Sequence, residues 1–298
     1  MFHRRSLSKK IFDTFNYTFL LLSSILCLLP FVNLMAVSFS ESPYVNAGLV
    51  TFWPVEFTLS AYAYILESGE FIRSFLISII RVLLGVSINI LLIVMTAYPL
   101  SKSNLNFNSR NLYAWFFVVS MLFTPSLIPS YLVVANLNLI DTIWSLVLPG
   151  ALQVFSMIVM LNFFRNLPKE LEEAAFIDGA SHWKLLWKVF IPLSLPAIAT
   201  VTLFSIVYHW NSWFDGILYI DNHRNYPMQS YLQSIIINPT LLNEIIKNDP
   251  NAAEIMLKIS NQTVKAAQLF VATIPVLVIY PFLQKYFTTG LTLGSVKE

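Results

Sequence analysis

The sequence has little charge and a single cysteine, and these shortages exclude several classes of protein. Charged residues make up 11% of the 298 residues, whereas soluble globular domains contain about 25%. A net charge of +2 provides no electrostatic basis for binding nucleic acid. Because Cys27 has no second cysteine to pair with, a disulfide framework and a cysteine-based metal cluster are excluded.

Motifs for phosphate binding, metal binding and nucleophilic catalysis are also missing. The 8 glycines are nowhere spaced as G-x-x-x-x-G-K-[ST], so the chain does not hold nucleotide phosphates in that way. H-E-x-x-H and G-x-S-x-G do not occur, and the 4 histidines are dispersed along the chain. We therefore expect no catalytic residue, no metal site and no cofactor within this chain.

Apolar sequence is abundant, since hydrophobic residues make up 56% of the chain. Six runs are long enough to cross about 30 Å of hydrocarbon, and they are 17–38, 75–100, 112–134, 143–164, 191–213 and 266–283. They exceed the roughly 9–11 residues of a barrel strand, and backbone groups in lipid need internal partners. The sequence therefore predicts an all-α, polytopic membrane protein with six transmembrane helices in a single domain, residues 1–298.

Lysine and arginine flank the predicted spans unequally. They cluster in 1–10, 102–110, 165–188 and 285–297, and cytoplasmic loops carry an excess of these residues. We therefore expect a multi-pass protein of the cell membrane with both termini cytoplasmic. The last outer loop, 221–265, is longer than about 12–15 residues, and its apolar side chains indicate a structured outer element.

The cytoplasmic segment 165–190 is predicted to form two short helices joined at a bend. Asn166 and Pro168 favour a helix start, Gly179 favours a left-handed stop, and Ser181 can cap a second helix that leads into the fifth span. Small residues would let a partner approach closely and larger ones would anchor it: Ala174, Ala175 and Ala180, with Phe176, Ile177, Trp183 and Leu186. The segment therefore predicts a docking site on the cytoplasmic face.

This segment has a specific residue pattern. It contains Glu173-Ala-Ala-Phe-Ile-Asp-Gly-Ala180, followed by Ile191-Pro192 and Leu195-Pro196. At these residues the chain resembles the ABC importer permeases, in the MalG-like, CUT1-type branch for sugar uptake. Four further stretches are similar to a subgroup associated with complex oligosaccharides and polysaccharide fragments: Ala97-Tyr-Pro-Leu-Ser-Lys102, Leu127-Ile-Pro-Ser-Tyr-Leu132, His209-Trp-Asn-Ser-Trp-Phe214 and Tyr280-Pro-Phe-Leu-Gln-Lys-Tyr-Phe287. Thr124-Pro125-Ser126 departs from the glycines expected there.

The resemblance implies a type I ABC importer permease fold and a set of partners. These are a second related permease, two cytoplasmic ATPases that hold ATP and Mg²⁺, and an extracytoplasmic sugar-binding protein. It also implies that the long outer loop can reach into the binding protein. ATPase coupling is carried over to Glu173, Ala174, Ala175, Asp178, Gly179 and Ala180.

A sugar path through the membrane needs side chains that form hydrogen bonds and stack on rings. The residues of these types within or near the spans are Arg81, Asn89, His209, Trp210, Asn211 and Trp213. Each has a second interpretation: Arg81 can reach the outer interface, Asn89 can join two helices, and the aromatic segment can anchor at the interface. Both interpretations stay open from the sequence.

Three rival functions are compatible with parts of the sequence. An ABC permease for a non-sugar solute would share the docking segment, because that segment does not select the cargo. An ion-coupled secondary transporter should carry carboxylates within its spans, and none stands out. A structural membrane scaffold would leave the docking segment unexplained. An oligosaccharide permease is therefore the prediction.

Overall fold

The computed structural model describes residues 7–67, 69–103, 107–123, 126–237 and 260–293, with side chains for those of them within 8–235 and 260–281. Within these ranges the chain is helical and contains no strand beyond an isolated bridge between Ser40 and Phe57. The helices are α1 (Leu7–Ser38), α2 (Ser42–Asn46), α3 (Ser60–Glu67), α4 (Gly69–Ser101), α5 (Arg110–Leu122), α6 (Leu127–Asn136), α7 (Ile143–Val147), α8 (Val154–Arg165), α9 (Lys169–Ile177), α10 (His182–Leu185), α11 (Ile191–Leu193), α12 (Leu195–Asn211), α13 (Phe214–Tyr219), α14 (Met228–Ile237) and α15 (Asn261–Leu293). A π-helical turn (Leu186–Phe190) joins α10 to α11, and a 3₁₀ turn (His223–Asn225) precedes α14.

Three described helices are long and apolar enough to cross a membrane: α1, α4 and α15 up to Pro281. Two bent pairs raise the number to as many as 5, namely α5 with α6 at 116° and the helix 182–193 with α12 at 81°. The break between α5 and α6 includes Thr124 and Pro125, which lie outside the described residues. The count of six spans remains a prediction.

The fourth predicted span is divided into α7 and α8, with 148–153 between them. Pro149 and Gly150 lie at this break, and both residues disfavour helix interiors, since proline lacks an N–H and glycine loses the most backbone entropy. A side chain at Gly150 would also collide with the Tyr208 hydroxyl, because a Cβ atom there would lie 2.7 Å from Tyr208 Oη. The local sequence, Pro149 and Gly150, therefore explains why the helix is interrupted. Gly150 also allows Tyr208 to pack closely against the chain.

Residues 1–72 and 235–273 form one compact unit. The first part of α1 is apolar yet exposed on nearly all sides, and only 6% of its span window is buried. Its last turn is packed: Ala36 joins Val45 and Val50 in a small core. Phe39 stacks on Tyr62 at 4.8 Å between ring centroids. The exposed face of α1 therefore suits lipid or a second membrane chain, whereas its C-terminal end is fixed within this unit.

Residues 73–234 and 274–298 form the second unit. Its core joins the end of α4 to α8, to the π turn and to α12, through the buried residues Ile93, Val94, Ala97, Tyr98, Leu100, Met157, Met160, Leu161, Phe164, Leu185, Leu186, Phe190 and Ala197. This core lies beside α9 and α10, since Leu185 ends α10 and Ala175 of α9 packs on its edge. The predicted docking segment is therefore seated on a packed base.

Candidate functional site

The bend between α9 and α10 is a complete Schellman motif. Gly179 adopts φ +71°, a left-handed conformation that costs glycine little. The N–H of Gly179 donates to the Phe176 carbonyl at 3.0 Å, and the N–H of Ala180 donates to the Ala175 carbonyl at 2.9 Å. These two bonds satisfy carbonyls that a helix end would otherwise leave unpaired. The predicted glycine stop is confirmed, and we call the segment Lys169–Leu185 the elbow.

The second helix of the elbow begins as predicted and then changes geometry. The Ser181 hydroxyl accepts a hydrogen bond from the Lys184 N–H at 3.4 Å. The π turn that follows ends two residues before Pro192, whose ring clashes with a carbonyl four residues earlier in a regular helix. Ser194 then marks the 81° bend into α12. Asn166 ends α8 rather than capping α9, which starts after Pro168.

The residues expected to couple with an ATPase lie mainly on the surface of the elbow. Glu173, Ala174, Asp178 and Gly179 are exposed, whereas Ala175 and Ala180 are half-buried. Large apolar side chains surround them, with Ile177 87%, Trp183 59% and Trp187 53% exposed. Leu186, expected as an anchor, is buried in the core, because the π turn directs Trp187 outward in its place. The elbow thus presents a mixed apolar and acidic surface.

The inner face of the elbow contacts the end of α4 through one buried lysine. Lys102 Nζ lies 2.8 Å from Glu172 Oε2 of α9. The same ammonium lies 4.3 Å from the ring centroid of Tyr98 and 4.2 Å from that of Phe190. Burial lowers the pKa of Lys102, and the neighbouring Glu172 carboxylate opposes that shift. Three elements, α4, α9 and the π turn, therefore meet at one cation.

Two further hydrogen bonds hold the same end of α4. The Tyr98 hydroxyl lies 3.1 Å from His182 Nδ1, at the start of α10. Arg165 Nη2 donates to the Leu100 carbonyl at 3.1 Å, from the end of α8. A cavity of about 280 Å³ opens beside these contacts and is lined by Lys102, Arg165, Lys169 and Glu172 among others. Residues 97–102 therefore form the part of the unit on which the elbow packs.

Arg81 is buried in the second unit and paired. Its guanidinium is 0% exposed, and it forms a two-pronged ion pair with Asp215 at the start of α13. Arg81 Nη1 also donates to the Ser212 carbonyl at 3.2 Å. Asp215 Oδ1 accepts bonds from the Ser212 hydroxyl and the Gly216 N–H, each at 2.9 Å. The Arg81 guanidinium is therefore enclosed within the subunit, and the pair fastens α13 to α4.

Asn89 forms a second polar contact two helical turns further along α4. Its side-chain nitrogen donates to the carbonyls of Gly150 at 3.0 Å and Ala151 at 2.6 Å. Its oxygen accepts from the Ser205 hydroxyl and lies 3.0 Å from His209 Nε2. Asn89 thus joins the chain break before α8 to α12, which is the helix-joining role that the sequence left open.

Gly85 explains why His209 fits against α4. A Cβ atom at Gly85 would lie 2.4 Å from His209 Nε2, so any side chain there would displace the imidazole. Trp210 is also buried and meets Phe75 edge to face at 5.7 Å between ring centroids. Of the six proposed path residues, Asn211 and Trp213 are exposed, and the other four are buried within the subunit in this conformation. A role in the sugar path remains a prediction for all six.

The predicted outer loop is described only in part, because 238–259 lie outside the described residues. The described part contains α14, and Tyr226, Met228 and Tyr231 are buried. The Met228 N–H donates to the Ser78 hydroxyl at 2.7 Å. This part of the loop is therefore folded onto the helices of its own unit.

Two residues of these contacts were missed by sequence reasoning. Asp215 lies just beyond the fifth predicted span, and a buried arginine requires a counter-charge, so the need for a partner to Arg81 was a usable signal. Lys102 ends one of the stretches that carry the family resemblance, but nothing in its spacing indicates Glu172 as its partner. The first partner could have been sought from charge balance, whereas the second required the fold.

The chain matches, over residues 2–293, the family described as the binding-protein-dependent transport system inner membrane component, and it belongs to that family. It is therefore the permease component of an ABC importer, as the family resemblance predicted. Its homologues are transporter subunits.

Two relatives from Bacillus subtilis (strain 168) cover almost the whole chain. The polygalacturonan/rhamnogalacturonan transport system permease protein YtcP is 38% identical over 291 residues, covering 98% of this chain and 100% of the relative. Protein LplC is 38% identical over 288 residues, covering 97% of this chain and 95% of the relative.

Two solved structures extend the comparison to the fold. A chain of a bacterial ABC transporter involved in the import of the acidic polysaccharide alginate superposes with a TM-score of 0.85 at 31% identity, covering 95% of this chain and 99% of that one. A chain from the bacterial alginate ABC transporter in complex with alginate pentasaccharide-bound periplasmic protein gives a TM-score of 0.58 at 16% identity, covering 94% and 96%. The second likeness is one of fold alone.

Proposed function

We propose that this chain carries oligosaccharides or polysaccharide fragments across the membrane by alternating access driven through its elbow. The observation that carries the proposal is the surface of the elbow: a fixed Schellman bend presents Glu173, Ala174, Asp178 and Gly179 to a partner, ringed by exposed apolar side chains. Exposed apolar side chains grouped with polar residues are typical of protein interfaces.

The proposed arrangement completes the parts that the described residues leave open. Six spans cross the membrane with both termini cytoplasmic, within one permease domain, residues 1–298. The loop 165–190 then faces the cytoplasm, and the loop 221–265 faces outward, where it meets the binding protein. Glu173, Ala174, Ala175, Asp178, Gly179 and Ala180 form the ATPase contact.

The proposed partners are a second related permease, two cytoplasmic ATPases and a sugar-binding protein. ATP and Mg²⁺ belong to the ATPases, since this sequence has no phosphate-binding loop. The exposed apolar face of α1 suits lipid and the second permease. Asp215 does not favour an ion-coupled mechanism, because Arg81 already neutralises the carboxylate.

The proposed cargo is an oligosaccharide, and acidic sugars are the first choice to test. Support comes from a relative named for polygalacturonan and rhamnogalacturonan at 38% identity over its full length, and from the alginate transporter at 31%. All three named substrates contain uronic acids. A neutral sugar or a non-sugar solute is the alternative that the experiment must separate.

The test is ATPase activity of the reconstituted importer in liposomes. Binding protein loaded with oligogalacturonate should stimulate ATP hydrolysis and uptake, and binding protein loaded with a neutral oligosaccharide of equal length should stimulate less. Stimulation by a non-sugar solute alone would overturn the cargo assignment. Transport by this chain without any ATPase would overturn the proposed mechanism.

A further inference from the structure

Lys102 follows the last residue of α4, and its side chain is buried at 7% exposure instead of extending into water. A lysine ammonium is strongly hydrated, so burying it is costly unless it is paired. Here the Glu172 carboxylate pairs with it, while Tyr98 and Phe190 supply ring faces that attract a cation. The pairing is therefore a built contact and differs from an incidental surface ion pair.

Besides the packing of Ala175 on the core, two routes lead from α9 to the long helices of the same unit. The covalent route passes the Gly179 bend, the π turn and the 81° bend before α12. The other route passes from Glu172 through Lys102 directly into α4, which is helical without interruption over Gly69–Ser101. Each bend in the first route can absorb movement, so the second route is the stiffer one.

The second route also reaches the buried polar contacts of the unit. Asn89 on α4 binds the chain break before α8 and the side chains of α12. Arg81 on α4 holds α13 through Asp215. Any displacement of α4 is therefore passed to α12 and α13 at two levels along the helix.

We propose that Lys102 is a positioning residue that transmits movement of α9 to α4, and that its ion pair with Glu172 is the transmitting contact. The proposal rests on the proposed function of the elbow and adds the contact through which a docked ATPase moves the helices. The rings of Tyr98 and Phe190 enclose the ammonium where its nitrogen lies 2.8 Å from the carboxylate. The stretch Ala97–Lys102, which the family resemblance singled out without a role, thereby acquires one.

The test uses the complete importer in liposomes, with its ATPases and with binding protein loaded with oligogalacturonate. The variants are Lys102→Met and Glu172→Gln, and the matched controls are Lys9→Met and Glu67→Gln, both exposed and outside the elbow. The measurements are ATPase co-purification and the amount of sugar imported per ATP hydrolysed.

We expect both variants to retain their ATPases but to import about tenfold less sugar per ATP, a typical size for coupling between sites. The controls should match the wild type. Lys102→Arg, which keeps a cation beside the two rings and the carboxylate, should recover several-fold over Lys102→Met, which a role that depends only on filling the site would not require.

An unchanged import ratio in Lys102→Met would overturn the proposal. So would loss of ATPase co-purification in both single variants, because the ion pair would then serve assembly and not transmission. Failure of the elbow function itself gives a different result, namely normal ATPase co-purification in Gly179→Leu, and that result does not depend on Lys102.

Discussion

The surface of the elbow and the polar interior along α4 use similar residue types in opposite surroundings. On the elbow, Glu173 and Asp178 are exposed and meet water. Along α4, Arg81 and Asn89 are fully buried and bonded within the subunit. The polar groups of the interior already form hydrogen bonds and an ion pair within this unit, whereas those on the surface of the elbow remain available to a partner.

The largest loss of unfolding free energy is expected on replacing Arg81. Arg81→Leu leaves Asp215 without its counter-charge, and breaking a buried pair costs about 3–5 kcal/mol of unfolding free energy. Thermal denaturation of the purified protein in detergent should show this loss. Arg73→Leu is the control, because the Arg73 guanidinium is exposed and bonds the Asn225 side chain. Equal losses in the two variants would contradict the contrast between buried and exposed charge.

Gly85 tests the packing of the same interior. Gly85→Ala places a methyl group against the His209 imidazole, and overpacking of this kind costs about 1–3 kcal/mol. The control is Gly69→Ala on the same helix, where a Cβ atom meets nothing within 4 Å. Adding His209→Ala to Gly85→Ala should remove most of the clash, as measured by the same denaturation assay. No recovery in that double variant would refute the packing argument.

At Gly179 we expect a substitution to impair ATPase binding more than stability, the reverse of the effect at Gly85. Gly179→Leu forces a branched side chain into φ +71°, at a stability cost of about 1–2 kcal/mol, yet ATPase co-purification should be largely lost. Gly48→Leu is the matched control, because Gly48 also has φ +71° and open space around it. Both variants should lose similar stability, and only Gly179→Leu should lose the ATPases. Co-purification lost equally in both would show that strain alone is responsible.

Ser181 gives the smallest predicted effect. Ser181→Ala removes the cap of α10 and should cost about 0.5–1 kcal/mol of unfolding free energy. Ser109→Ala is the control, since Ser109 precedes α5 without a side-chain hydrogen bond to it. If both serines cost the same, the cap of α10 contributes nothing specific.

The surface of the elbow and the polar interior along α4 also differ in how much of their structure the sequence predicts. The elbow depends on neighbouring residues, so Gly179 and Ser181 could be assigned from local rules for helix ends. The family resemblance then supplied its docking role. In the interior, Arg81 and Asp215 are far apart in sequence, and Asn89 bonds main-chain carbonyls that no pattern of side chains can indicate. Charge balance indicates that Arg81 needs a partner, but the contacts of Asn89 required the fold.

The spans show the same limit. Continuous apolar composition predicted single helices for 143–164 and 191–213, but composition does not register where a helix bends. The break at Pro149 and Gly150 carried a local signal, and the bend at Ser194 precedes Pro196. Hydropathy predicts where a chain meets lipid, and prolines and close contacts decide its path there.

The π turn at Leu186–Phe190 lies between the elbow and the helices that follow it. A π turn holds one residue more than a regular helical turn, and each residue of an α-helix rotates the chain by about 100°. Because the π turn takes up its extra residue, deleting one residue there would restore a regular helix and leave Trp183 on nearly the same side of the axis. In evolutionary terms, this turn can lose one codon without redirecting the docking surface, whereas the same loss from a neighbouring stretch of regular helix would rotate that surface by about 100°.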